Sequence, residues 1–323
     1  MMLMTYDEFA EIPSKMHIFY DQAFNVLYNK HDATKASFRR KFYTPLSVDD
    51  FKRLLSTFSL FSYIDRKIAL TDKEAREYVR KATQYESINI DPDSYISDLH
   101  ESVCILLKDG DLYTFLHRSF QEYFVALFLA SREVDRISAI LDAIVDHVSS
   151  DGFISLLIDM NRDAFETQYF KTKVSSLREK LDKIDASKKP KAVWTLFYRG
   201  ISIERGEISG YEINSNAGYW DTLHVIEMFY KPHKGPRSAK GEGLEWSEIV
   251  DKYGLVTDEG NIEIRNERLS DELLVDLGLA SYIRGIKKRV QVVEEDIEKR
   301  TRKKKDLISD MLNRKKRSGG VGR

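Results

Sequence analysis

The sequence is short of cysteine: Cys104 stands alone in 323 residues. No internal disulfide can form, and such sparse usage fits a reducing compartment. Cys104 sits in the apolar run 103–107, so a buried structural thiol is expected there and not a nucleophile. Only 6 prolines occur, which leaves long helices permitted. No stretch reaches the ~18 apolar residues that a membrane helix needs. The apolar start, residues 1–4, meets Asp7, Glu8 and Glu11 at once and has neither the basic flank nor the cleavage site of a signal peptide. The expectation is a cytoplasmic chain with no membrane partner.

The motifs of common catalysts are missing too. No G-x-x-x-x-G-K-[ST] occurs. The nearest stretch, Gly235-Pro236-Arg237-Ser238-Ala239-Lys240-Gly241, puts a proline where a backbone amide would cradle phosphate, and its lysine does not follow the second glycine. There is no strand followed by G-x-G-x-x-G, no H-E-x-x-H or paired cysteines for a metal, and no G-x-S-x-G elbow. No catalytic residue and no metal ligand is assigned, and the chain is expected not to be an enzyme alone. The adjacent His31-Asp32 would not face each other on a helix, so a solvated helix end is expected.

What is present suits a globular, helix-rich chain. Hydrophobic residues make up 42% and charged residues 32%, enough for a core and too apolar for disorder. Ile18, Phe19, Gln22, Ala23, Val26 and Leu27 repeat at helical spacing over 14–31. Ser47, three residues before Asp50, opens a second helix over 47–59, with Phe51, Leu54, Leu55 and Phe58 as its stripe. Thr71 and Glu74 form a capping box for a third helix. Asp91-Pro92 opens a fourth, with aspartate as cap and proline in the first turn.

The period then changes. Two short apolar runs, 103–107 and 113–117, flank Lys108-Asp109-Gly110-Asp111 and read as a β-hairpin. Phe120, Tyr123, Phe124, Leu127 and Phe128 follow at helical spacing. Three helices, a hairpin and a helix make a winged-helix arrangement. Farther on, 134–148 and 152–182 read as helical, and Lys188-Lys189-Pro190-Lys191 is a polar break. Strands are expected within 201–213 and 255–264, and a short helix over 270–279. Trp194, Phe197, Tyr198, Tyr219 and Trp220 read as core packing. A long charged helix closes the chain, its stripe carried by Ile286, Val290, Val293 and Ile297. The fold class is mainly α with small β: a helical segment (1–46), a winged-helix domain (47–132), a mixed α/β C-terminal domain (133–285) and a charged helical tail (286–323).

The stretch Tyr113-Thr114-Phe115-Leu116-His117-Arg118-Ser119-Phe120-Gln121-Glu122-Tyr123-Phe124-Val125-Ala126 resembles the winged-helix signature of NACHT ATPases, members of the STAND class of signalling NTPases. That signature has an aromatic-rich strand, a histidine, a serine or threonine, then Phe-Gln-Glu with an aromatic and a small residue. The resemblance extends to roughly residues 1–132, whose first part looks like the helical domain that follows the family's nucleotide-binding domain. It implies that His117 contacts the β-phosphate of ADP and locks the resting state, with Phe115, Ser119, Phe120, Gln121, Glu122, Tyr123 and Phe124 as supporting motif residues. The family's P-loop and Walker B segments would precede Met1. ADP or ATP is therefore expected only beside a P-loop domain, and no cofactor alone.

The implied function is the regulatory and sensor portion of a NACHT-like signalling ATPase, in antiphage defence by analogy with bacterial members. The chain would be half of a split system or a truncated product, with a P-loop polypeptide or a homo-oligomer as partner. The alternatives are a stand-alone winged-helix nucleic-acid-binding regulator and a protein-interaction scaffold. Residues 47–117 carry 9 basic and 13 acidic side chains, which weighs against a DNA-reading wing. The last 25 residues, 299–323, hold 11 Lys or Arg and 2 Asp, a net of +9 that leaves −10 for residues 1–298 in a chain of net −1. Lys303, Lys304, Lys305, Arg314, Lys315, Lys316 and Arg317 are candidate polyanion contacts, including nucleic acid.

Overall fold

The amphipathic pattern of residues 14–31 folds as α1 (Met16–Asn29), burying Phe19, Ala23, Phe24, Val26 and Leu27. Ile18, expected on that stripe, is exposed, because it lies one residue, hence about 100° of helix rotation, before Phe19. In this computed structural model the described residues are 13–29, 42–132, 137–144, 152–204, 207–230, 243–255 and 261–318. His31-Asp32 and the glycine-rich stretch 235–241 lie outside them. The chain divides into two compact units, Met1–Phe165 and Glu166–Arg323.

In the first unit Ser47 caps α2 (Val48–Ile64) by accepting the Asp50 N–H. Next come β1 (Ala69–Thr71) and α3 (Asp72–Glu86), the latter opened by the full Thr71–Glu74 capping box. The helix α4 (Pro92–Ser97) is capped by Asp91 and runs into a π-helical turn, Asp98–Ser102. The hairpin strands are β2 (Leu106–Asp109) and β3 (Leu112–Phe115). β3 lies between β1 and β2, antiparallel to both, with Leu70 opposite Tyr113 and Leu107 opposite Thr114. Helix, strand, two helices and a hairpin around a sheet of this order make a winged-helix arrangement. At three residues, β1 is too short to show a period in sequence.

The hairpin starts later than expected because Cys104 takes a left-handed φ of 57°, which ends the π-turn and forbids a strand through 103–104. Cys104 is also partly exposed, with its sulfur near the Glu101 carbonyl, which corrects the expected burial.

After the wing, α5 (Arg118–Ser131) is buried on almost every side, the condition of a central helix. It packs between α2 and α7 (Phe153–Phe165), while α6 (Ile137–Ile144) lies against α2. α6 and α7, placed by sequence with the following domain, thus pack in this unit. Asn161 leaves helical geometry within α7 (φ −150°, ψ 72°). Its side chain accepts the Ala164 N–H beyond the kink and donates to the Ala130 carbonyl in the last turn of α5.

The second unit opens with a π-turn, Glu166–Phe170, and α8 (Lys171–Asp182). The polar break 188–191 runs into the first turn of α9 (Pro190–Trp194), with Pro190 at its start. The strands β4 (Tyr198–Glu204), β5 (Glu207–Ile213) and β6 (Asn261–Arg265) form an antiparallel sheet with β4 central. Gly200 allows the close pairing: a Cβ there would stand 2.4 Å from the Ile264 carbonyl oxygen. Trp194 is buried and donates to the Gly200 carbonyl at 2.9 Å. Shorter helices follow, α10 (Trp220–Val225), α11 (Trp246–Tyr253) and α12 (Asp271–Asp276).

One helix, α13 (Ala280–Ser318), closes the described chain. Ile286, Val290, Val293 and Ile297 are fully buried, and α8 packs along it. Its anchoring continues beyond Ile297, the last residue of the apolar stripe. Arg300 forks onto the buried Glu166 at 2.8 and 3.3 Å, and Glu294 takes Arg178 at 2.6 Å. Beyond Arg302 the side chains are exposed as far as they are described.

Candidate functional site

His117 ends the stretch after β3 in extended geometry (φ −151°, ψ 136°) and is the N-cap of α5. Its Nδ1 accepts the Ser119 backbone N–H at 3.2 Å and lies 2.6 Å from the Ser119 hydroxyl. A backbone N–H can only donate, so Nδ1 must be the acceptor. The neutral ring then carries its proton on Nε2. The result is an exposed imidazole with a defined tautomer at a helix N-terminus, where the helix dipole favours anions.

The rest of the motif holds this junction in place. Phe115 is buried in β3 and packs near Phe58. Phe120 and Phe124 are fully buried against Tyr20 and Phe24, with ring centres 5.5 and 5.4 Å apart. The Tyr123 hydroxyl donates to Asp21, which also binds Lys52 at 2.7 Å. Burial, and then the Asp21 charge, raises the Tyr123 hydroxyl well above its ordinary range. Gln121 donates to the Ser62 hydroxyl and the Lys67 carbonyl, tying α5 to the end of α2. Glu122 accepts the Gly152 N–H at 3.0 Å and pairs with Arg118 at 3.5 Å. Arg118 in turn stands over the Tyr63 ring. Gln121 and Glu122 are therefore buried fasteners.

The other sequence candidates stand apart from this junction. Lys303, Lys304 and Lys305 lie exposed on α13, and Arg314 to Arg317 continue the same helix. Of the aromatic group, Trp194 and Phe197 are core residues, while Trp220 stacks on His224 at 4.6 Å. Burial lowers the His224 imidazole below its ordinary value.

Several buried polar clusters escaped the sequence reading. Glu86 is clamped by Arg53, Arg132 and Thr57. Asp98 is fully buried and gathers four donors. Glu227 accepts from Tyr282 and Arg289. Apart from Ser102, their partners lie 29 to 62 residues away in sequence, so no local spacing marks them. Among the described residues no group of three or more His, Cys, Asp or Glu could hold a metal ion, and no helix is long and apolar enough to cross a membrane. Comparison of the chain with protein-family models, curated proteins and solved structures gives no match.

Proposed function

We propose that this chain is the helical and winged-helix regulatory portion, with an attached sensor unit, of a NACHT-type signalling ATPase. It would act in the cytoplasm together with a P-loop nucleotide-binding domain. The observation that carries this reading is His117. The motif residue that the resemblance assigns to the β-phosphate of ADP is exposed, sits at a helix N-terminus and has Nδ1 occupied by Ser119. Its Nε2–H is then a donor suited to a phosphate oxygen. The sequence contains no G-x-x-x-x-G-K-[ST] stretch, so on this reading the chain alone neither hydrolyses ATP nor holds it.

The nucleic-acid reading has less support. In a winged helix the third helix would enter the major groove. Here that element, α4 with its π-turn, carries Asp93, Asp98 and Glu101 and no Lys or Arg, and the hairpin tip adds Asp109 and Asp111.

The test has two arms. Calorimetry of the purified chain with ADP and ATP should show no binding near ~1 µM Kd; a clear micromolar affinity overturns the reading. A complex of the chain with a P-loop nucleotide-binding domain should retain ADP. His117→Asn in that complex should weaken ADP retention about tenfold, the worth of one hydrogen bond to a charged group. A His117→Asn complex that holds ADP as well as the wild-type complex would refute the role of His117.

A further inference from the structure

The exposed half of α13 is not uniformly charged. Leu307, Ile308 and Met311 are 55%, 60% and 71% exposed. Spaced i, i+1 and i+4, they share one side of the helix and span about 6 Å of its axis. They also resume the buried stripe. The three-and-four spacing of Ile286, Val290, Val293 and Ile297 runs on through Arg300 and Lys304 to Leu307 and Met311. Lys303, Lys304 and Lys305 lie one turn before this apolar island, and the sequence places four more cations at 314–317 after it.

The wing offers a reciprocal surface. The register places Leu107 opposite Thr114 and Asp109 opposite Leu112, so Leu107 and Leu112 share the outer face of the hairpin. Tyr113 and Phe115 fill the buried face. Leu107 and Leu112 are 44% and 42% exposed. Diagonal neighbours of this kind are about 7–8 Å apart, which matches the length of the apolar island. Exposed Asp109 and Asp111 border them. The whole first unit is acidic: residues 1–165 hold 19 Lys or Arg against 26 Asp or Glu.

We propose that Leu307, Ile308 and Met311 of one copy seat on the Leu107–Leu112 face of the wing of a second copy, with the lysines at 303–305 toward Asp109 and Asp111. Apolar burial supplies the contact and opposite charge fixes its register and speeds encounter. A nucleic acid would engage the cations but leave the three apolar side chains in water. A bilayer is a poor occupant for an apolar island of little more than one turn with cations at both ends. The two surfaces differ, so the contact is head-to-tail and extends into a ring or an open chain of copies. Nothing in it depends on nucleotide.

Sedimentation velocity of the full chain tests this. Mass should rise with concentration up to about 100 µM, and salt raised from about 50 to about 500 mM should weaken association tenfold or more. Leu307→Asp with Met311→Asp should leave a monomer, and so should Leu107→Ser with Leu112→Ser. Circular dichroism should show both variants folded, because the altered residues are exposed. Mixed together, these two variants should form a one-to-one dimer and nothing larger, since each keeps one intact surface. Lys303→Glu with Lys305→Glu should weaken association, and Asp109→Lys with Asp111→Lys should restore it. A wild-type monomer at all concentrations overturns the proposal. So does association that survives either apolar variant, or a tail-to-wing cross-link found only at monomer mass. Binding to anionic vesicles or oligonucleotides that requires Leu307 and Met311 in a monomeric chain also overturns it.

Discussion

Asp98 Oδ2 accepts both the backbone N–H and the hydroxyl of Thr44, at 2.9 and 2.6 Å. Its other oxygen takes the Tyr43 N–H at 2.7 Å and the Ser102 hydroxyl at 3.0 Å. One buried carboxylate thus fastens the segment entering α2 to the turn that ends α4. Asp98→Ala would strand two buried amides and two hydroxyls, at about 1–3 kcal/mol for the worst placed of them. The expected loss is about 3–5 kcal/mol in urea unfolding, with Asp98→Asn intermediate. A loss under ~1 kcal/mol would mean that water replaces the carboxylate without cost.

Phe120 and Phe124 stand one turn apart on α5, both fully buried. Alanine at either should cost about 3–5 kcal/mol by denaturant titration. Each leaves a cavity in the helix that α2 and α7 pack around, so little relaxation is available. A smaller loss at Phe120 than at Phe124 is expected only if Tyr20, its ring partner, can swing inward.

The capping box of α3 gives a pH dependence. Lys67 first, then the Thr71 N–H and hydroxyl, hold the Glu74 carboxyl down to about 2 from 4.5. A depressed carboxylate contributes stability that is complete above its ordinary value and is lost as pH falls toward its folded value. The thermal midpoint of wild type should therefore exceed that of Glu74→Gln near neutrality, and the gap should close between pH 4.5 and about 2. A gap independent of pH would assign the difference to packing.

The elements that sequence revealed are those whose signal is local. Ser47, the Thr71–Glu74 box and Asp91-Pro92 each start a helix through bonds spanning three residues. The stripe from Ile286 to Ile297 is read from spacing alone, and all four side chains are buried. What stayed hidden is long-range. β1 exists because β3 pairs with it far along the chain, at Ala69 and Thr114 among others. Asp98 and Glu86 are charged residues that sequence reads as surface, and only their distant donors make burial tolerable. At the candidate site, the histidine and its helix were legible. Its tautomer was not, because that depends on the Ser119 amide turning back to Nδ1.

Arg300 sets where the tail ceases to matter for folding. It pairs bidentately with Glu166, buried in the second unit. A chain ended after Arg302 should keep its thermal midpoint within about 2 °C, since few buried contacts are removed. A chain ended after Glu298 leaves Glu166 without its guanidinium and should melt more than about 4 °C lower. Equal midpoints would show that solvent reaches Glu166 once Arg300 is gone.

His117 has two separable duties, and substitution can divide them. As N-cap it relieves the Ser119 amide, and replacing a cap with alanine costs about 1 kcal/mol. Asparagine is a strong N-cap, so His117→Asn should hold stability within about 0.5 kcal/mol of wild type while His117→Ala does not. An asparagine side chain cannot reproduce the reach and orientation of an imidazole Nε2–H whose other nitrogen is fixed by Ser119. If the imidazole touches a phosphate, both variants should lose ADP-dependent capture by the P-loop partner, although only one loses stability. Should His117→Asn retain full capture of ADP, His117 is a cap and nothing more.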